Sequence, residues 1–133
     1  MKDYKAPLKY RDQILYLAFD LNVMEEIQDE YGSVETWGDL TSPDPEDVLD
    51  PVSGEIIGTK EKEPDLKAVI FGFTAMLNEG VEIANEEDGG HRPPFTKRQV
   101  GRIITEIGLE NANVTMKKVV TDSTNTGADT KNE

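Results

Sequence analysis

The side chains that could do chemistry in this chain are few, and their spacing serves none of the common reactions. There is no cysteine, which excludes thiolate nucleophiles, thiolate metal sites and disulfides and is compatible with a reducing cytoplasm. His91 is the sole imidazole, held between Gly90 and Arg92 in a run of turn formers. Without a second histidine it lacks co-ligands for zinc, and it reads as a solvated loop residue. None of the four serines stands in a Gly-x-Ser-x-Gly elbow, and no glycine-rich run has the phosphate-loop pattern. Asp44, Glu46, Asp47 and Asp50 bring carboxylate oxygens suited to a hard cation. Their spacing misses that of an EF-hand loop, the interior glycine is absent and Pro45 stiffens the turn, so they read as a solvated acidic loop. Many carboxylates could be paired for acid and base work, but nothing selects one pair. The expectation is a protein with no catalytic residue, no cofactor and no metal, one that works by binding.

The charge narrows what it binds. Twenty-seven acidic and 14 basic residues among 133 leave a formal net charge of −13, which repels phosphate backbones and anionic membrane surfaces. Neither nucleic acid nor membrane is expected as a partner. One segment, RQVGRIITEIGLENANVTMKKVV, has the outline of a helix-turn-helix, with Lys97 just ahead of it and Arg98, Arg102, Lys117 and Lys118 within it among the chain's few bases. Its second helix opens on Glu110 and asparagines instead of arginine, so it reads as a packed helical hairpin. Three uses of the negative charge stay open: solubility, recruitment of a basic partner, and imitation of DNA. A DNA mimic would set its carboxylates in rows on one face, whereas here they are scattered over helix surfaces and loops.

These side chains must be positioned by one domain, since 133 residues suffice for a single core without staples. MKDYKAPLKYRD lacks the apolar segment of a signal peptide, so the chain is expected to stay where it is made. The chain is organised around Asp65–Glu79, in which Ala68 to Leu77 carry no charge. On a helix, Leu66, Val69, Ile70, Phe73 and Leu77 draw one apolar stripe, the core face, while Phe71, Ala68 and Ala75 make the far side apolar too. Such a helix is enclosed on both sides or half-covered by a partner. Pro64 should open it with Asp65 in its first turn, and Gly80 should stop it. Val81 to Ala84 would be briefly extended before the loop NEEDGGHRPPF.

Ahead of it, Leu8 to Asp20 predicts an antiparallel hairpin pausing at Arg11-Asp12, with its second strand apolar on both faces and at least one face covered by helices. Asp20 caps the helix LNVMEEIQDEY, Gly32 ends it, and Ser33 caps a short turn, VETWGDL. The only tryptophan, Trp37, is either a lid on the core or a hot spot facing a partner. Thr41 to Pro64, with four of the seven prolines and seven acidic residues, reads as a long mobile loop with a turn near Ser53-Gly54. Further on, Thr96 and Gln99 make a capping box for TKRQVGRIITEIG. Gly108 breaks that helix, and a last one runs to about Val120. The expected fold class is α+β, mostly α, an N-terminal β-hairpin packed on a bundle of about four to five helices. One globular domain would span residues 1–121, with the acidic loop at 41–64 and a disordered tail at 122–133.

Three stretches, AFDLNVMEEIQDEYGSVETW, DLKAVIFGFTAMLNEG and FTKRQVGRIITEIG, resemble in order and spacing the tail assembly chaperones of long-tailed bacteriophages and prophages, in particular the XkdN-like kind of Gram-positive hosts. The resemblance covers most of residues 8–121 and rests on core and cap positions. It implies a non-enzymatic chaperone in the cytoplasm of the bacterial host, absent from the mature virion. Such a chaperone keeps the tape-measure protein soluble until tail-tube subunits polymerise around it. The resemblance also implies a longer frameshifted product that recruits the tail-tube protein, and self-association along the tape measure. The partner surface expected is the side of the central helix carrying Phe71 and Ala75, helped by Trp37 and Met76. The alternative is an acidic DNA mimic or another phage-encoded inhibitor that binds a protein. The 41–64 stretch is longer than that family usually has.

Overall fold

The structure, a computed structural model, describes residues 5–132, with side chains placed for residues 5–124. The chain runs β1 (Lys5–Tyr10), β2 (Gln13–Ala18), α1 (Leu21–Tyr31), α2 (Val34–Thr41), β3 (Glu46–Leu49), β4 (Ile56–Lys60), α3 (Leu66–Asp88), α4 (Lys97–Ile107) and α5 (Leu109–Asn132). This is the expected α+β fold, an antiparallel N-terminal hairpin packed on helices.

The hairpin closes on a two-residue turn at Arg11-Asp12, with Tyr10 opposite Gln13. Arg11 takes a φ of +56°, which a short hairpin turn demands and an L side chain adopts only at some cost. Its guanidinium is anchored to Glu106 of α4 at 3.1 Å and lies 5.2 Å from the centre of the Tyr10 ring. Pro7 pairs with Tyr16. Counting from the bonded pair at the turn, that is a pair that exchanges no ladder bonds, so the missing N–H costs nothing. Leu15, Leu17 and Phe19 enter the core while Ile14 and Tyr16 remain exposed, so one face of β2 is covered throughout and the other only at its end, where Ala18 is buried.

Local hydrogen-bond chemistry sets the helix starts. The Asp20 carboxylate accepts from the Val23 amide at 3.2 Å, the Ser33 hydroxyl from Thr36 at 3.0 Å and the Asp65 carboxylate from Ala68 at 3.0 Å. Asp65 is thus the cap of α3 and not part of its first turn. Thr96 and Gln99 make both halves of the capping box.

The central helix is longer than its sequence suggests. It passes through Gly80 without interruption, takes in Val81 to Ala84 and ends at Asp88, where Gly89 adopts φ +70° as the cap. Gly80 has a packing role: a Cβ there would overlap the backbone carbonyl oxygen of Tyr16, so its absence lets β2 lie directly on α3. Gly72 makes the same allowance for the indole of Trp37. Val69, Phe73, Met76 and Leu77 are fully enclosed and Ile70 is half-buried. Leu66 leaves the expected stripe, since it is 59% exposed; it stands at the first helical position, ahead of Ala68, the first residue of α3 that the core encloses.

The stretch expected as a loop at 41–64 contains a second antiparallel pair, β3 and β4, with a bulge between Val48 and Leu49. The Asp50 carboxylate accepts from the amides of Val52 and Ser53 at 2.7 and 3.1 Å and shapes the turn, and Gly54 takes φ +76°. Every residue of both strands is exposed. The base of this arm is tied by the Asp65 amide donating to the Leu40 carbonyl at 2.8 Å. At the other end, α5 buries Ala112, Met116 and Val119. Its backbone continues as helix through Asn132, where a disordered tail was expected from residue 122; Glu133 lies outside the described residues.

Candidate functional site

The four residues expected to face a partner separate into two pairs. Trp37 is 4% exposed, its indole N–H donating to the Ala68 carbonyl at 2.9 Å. That bond crosses from α2 to α3 and, with the space above Gly72, makes the ring a lid on the core. Met76 is 0% exposed. Both readings as partner-facing residues are therefore corrected: α3 is packed by β2 and by the other four helices, and these two side chains point into that packing.

Phe71 and Ala75 are brought together. They line one cleft of about 190 Å³ with Lys67, Ile70, Thr74 and Asn78 of α3, Glu26 of α1 and Lys97 of α4. Phe71 is half-buried, and Tyr31 meets it edge to face with 5.5 Å between ring centres. Ala75 is 6% exposed and forms the floor. The Thr74 hydroxyl donates to the Ile70 carbonyl at 2.6 Å, which commits it to its own helix. Asn78 clamps the segment before α4 from both sides, its amide donating to the Phe95 carbonyl at 3.0 Å and its carbonyl accepting from the Phe95 amide at 2.6 Å. That clamp sets where α4 begins, and so where Lys97 stands. Sequence reasoning missed Asn78, Lys67, Lys97 and Glu26, because only the packing of three helices puts them in one place.

Charge around the cleft is uneven. Lys67 reaches Glu30 at 3.9 Å. Glu26 has its pKa raised, first by burial and then by Glu82, Asp20 and Glu25. Deeper in, Glu79 is 7% exposed and its pKa is pushed up to about 7. A hydrogen bond shared with the Asp20 carboxylate is the main cause, burial the next, and the Asn22 amide at 2.9 Å opposes them. Glu79 therefore takes up a proton more readily than an ordinary glutamate beside Asp20, which joins α3 to the cap of α1. It is a structural pair, away from the cleft lining.

Nothing reactive converges in the cleft. An aromatic edge, small apolar side chains, two ammonium groups and one carboxylate suit the capture of an apolar segment and its charged margins. Among the described residues no group of three or more His, Cys, Asp or Glu is placed to hold a metal ion, and the Asp50 carboxylate is turned to the amides of its own loop. No helix among the described residues is long and apolar enough to cross a membrane. A larger hollow of about 520 Å³ lies between Ile14 and Tyr16 of β2, Val81 and Ala84 of α3, and Pro93-Pro94. Its one charged lining residue, Arg92, is tied to Asp88 at 2.6 Å, so it offers apolar contact without a free charge to orient a ligand. No protein-family model, no curated protein and no solved structure matches the chain.

Proposed function

We propose that this chain is a phage tail assembly chaperone. In this reading it binds the tape-measure protein, keeps it soluble in the bacterial cytoplasm and supports polymerisation of the tail tube, without catalysing a reaction and without entering the mature virion. The observation that carries the reading is the cleft at Phe71 and Ala75, an opening onto the apolar far side of the central helix. A tape-measure protein is a long helical chain whose apolar stripes need covering before assembly, and a groove between helices takes up such a stripe through side chains spaced along one helix face. The net charge of −13 would keep the coated complex dispersed by like-charge repulsion. Recruitment of the tail-tube protein through a longer frameshifted product, and self-association along the tape measure, belong to the same reading.

The test is co-expression with the tape-measure protein of the same phage or prophage. Native chain is expected to hold that protein in the soluble fraction and to copurify with it. Phe71→Glu, checked by circular dichroism to be folded, should return it to the pellet. A tape-measure protein equally insoluble with and without this chain would end the proposal.

A further inference from the structure

The cleft opens onto a face of this acidic molecule where four cations, Arg11, Lys97, Arg98 and Arg102, stand together. A shallow trough bordered by Arg11, Arg98, Arg102 and Glu106 shares both Ile70 and Lys97 with the Phe71 cleft, so the two form one continuous surface. Gly101 lies in it, and among the described residues no atom beyond its chain neighbours and its own helix backbone comes within 4 Å of where a Cβ would be, which keeps the surface open along α4. Arg11 is paired with Glu106. Among the described residues Lys97, Arg98 and Arg102 have no carboxylate within ion-pair distance, although the chain carries 27 acidic residues. The acid on the opposite wall, Glu26, is less ready to ionise than an ordinary glutamate. The floor between these charges is apolar: Ile70, Phe71 and Ala75.

We infer that the segment this surface takes up is an amphipathic helix whose apolar stripe is flanked by carboxylates on the side that meets α4. The inference rests on the proposal above that the cleft is the partner-binding surface, and it assigns that partner's chemistry. The net charge alone would select a basic partner. The local arrangement selects an acidic one, because exposed charges more than about 10 Å apart are largely screened at physiological salt while those beside the docked helix are not. Charge matching of this kind chooses partner and orientation more than it adds affinity. The apolar floor favours a helix over a nucleic-acid backbone, which has no stripe to lay in it.

Two synthetic helical peptides test the inference, with the same leucine and alanine stripe and with either glutamate or lysine at every flanking position. Each carries a fluorescent label and is titrated with the full chain by anisotropy. The glutamate-flanked peptide is expected to bind at least about tenfold more tightly, with that advantage shrinking as salt is raised. The triple variant Lys97→Glu, Arg98→Glu, Arg102→Glu should reverse the preference. It should also fold, since all three positions are exposed and acidic residues at two of them, 97 and 98 in the first turn, favour the helix. Equal binding of the two peptides, tighter binding of the lysine form, or no binding of either overturns the inference. So does a labelled DNA duplex that binds through the same three residues. Co-expression separates this failure from failure of the functional reading. If the triple variant still solubilises the tape-measure protein while Phe71→Glu does not, the acidic-flank inference falls and the chaperone reading stands. If the glutamate-flanked peptide binds as expected but the tape-measure protein stays insoluble, the reverse holds.

Discussion

Glu79 is the residue whose environment makes the clearest demand on the chain. Its pKa of about 7 in the fold compares with an ordinary value of 4.5, so the folded state holds the proton more tightly than the unfolded state. The stability from this group is therefore fully present below about pH 4.5 and is lost as pH rises through about 7. Glu79→Gln keeps a donor for Asp20 and an acceptor for Asn22 without the titration. In urea denaturation the variant should match the native chain near about pH 5 and exceed it by roughly 2–3 kcal/mol near about pH 8. A gap independent of pH would show that the carboxyl is not protonated in the fold. Tyr31 makes a smaller demand. Its hydroxyl is buried without a hydrogen-bond partner among the described residues, while its ring supports Phe71. Tyr31→Phe should leave stability unchanged or raise it by up to about 1 kcal/mol, because an unsatisfied buried polar group is removed and the ring contact retained. A drop in the thermal midpoint would mean that the hydroxyl has a role in the fold that its contacts do not display.

Element starts were legible in the sequence and the end of the central helix was not, for a physical reason. A cap is a bond between residues three apart, so Asp20, Ser33 and Thr96 announce their helices without reference to the rest of the fold. A glycine inside a helix has two opposite meanings, termination and close approach, and only the neighbour decides between them. At Gly80 the neighbour is the Tyr16 backbone, and at Gly72 it is the Trp37 ring. Gly80→Ala should therefore cost roughly 1–3 kcal/mol through overpacking against main chain that cannot rotate away. Gly101→Ala, in the middle of α4 with no described atom from outside its own helix turn within 4 Å, should instead stabilise by up to about 1 kcal/mol from helix propensity alone. Thermal denaturation of the pair decides the matter, and a gain at Gly80 would show that β2 does not rest on α3 as described. The same dependence on neighbours explains the partner residues: Phe71 and Ala75 could be placed by helical periodicity, whereas Trp37 lies on Ala68 and Gly72 of α3 and Met76 is enclosed in the core.

At the scale of the whole molecule, the sequence reveals what must be buried far better than what is left outside. The core stripes of α3, α4 and α5 follow from apolar spacing, but β3 and β4 bury nothing, so no alternation marks them, and their prolines and carboxylates read as loop. Val48, Leu49, Val52, Ile56 and Ile57 are all exposed on that arm, Val52 by 95%. A two-stranded ribbon without a covering layer is marginal in water, and every residue of both these strands is exposed. The stem closes independently of it, through the Asp65 amide on the Leu40 carbonyl. Thr41, Ser42, Pro64 and Asn113 gather at the base, where the Asn113 amide donates to the Thr41 carbonyl at 3.0 Å. Replacing residues 43–63 by a short Gly-Ser linker should therefore keep the helical circular dichroism and change stability by no more than about 1 kcal/mol, a few degrees in the thermal midpoint for a domain of this size. Since the cleft lining comes from α1, α3 and α4 alone, the shortened chain should also bind the glutamate-flanked peptide as the native chain does. Loss of cooperative unfolding, or a midpoint lowered by more than about 10 °C, would instead make the arm part of the folding unit.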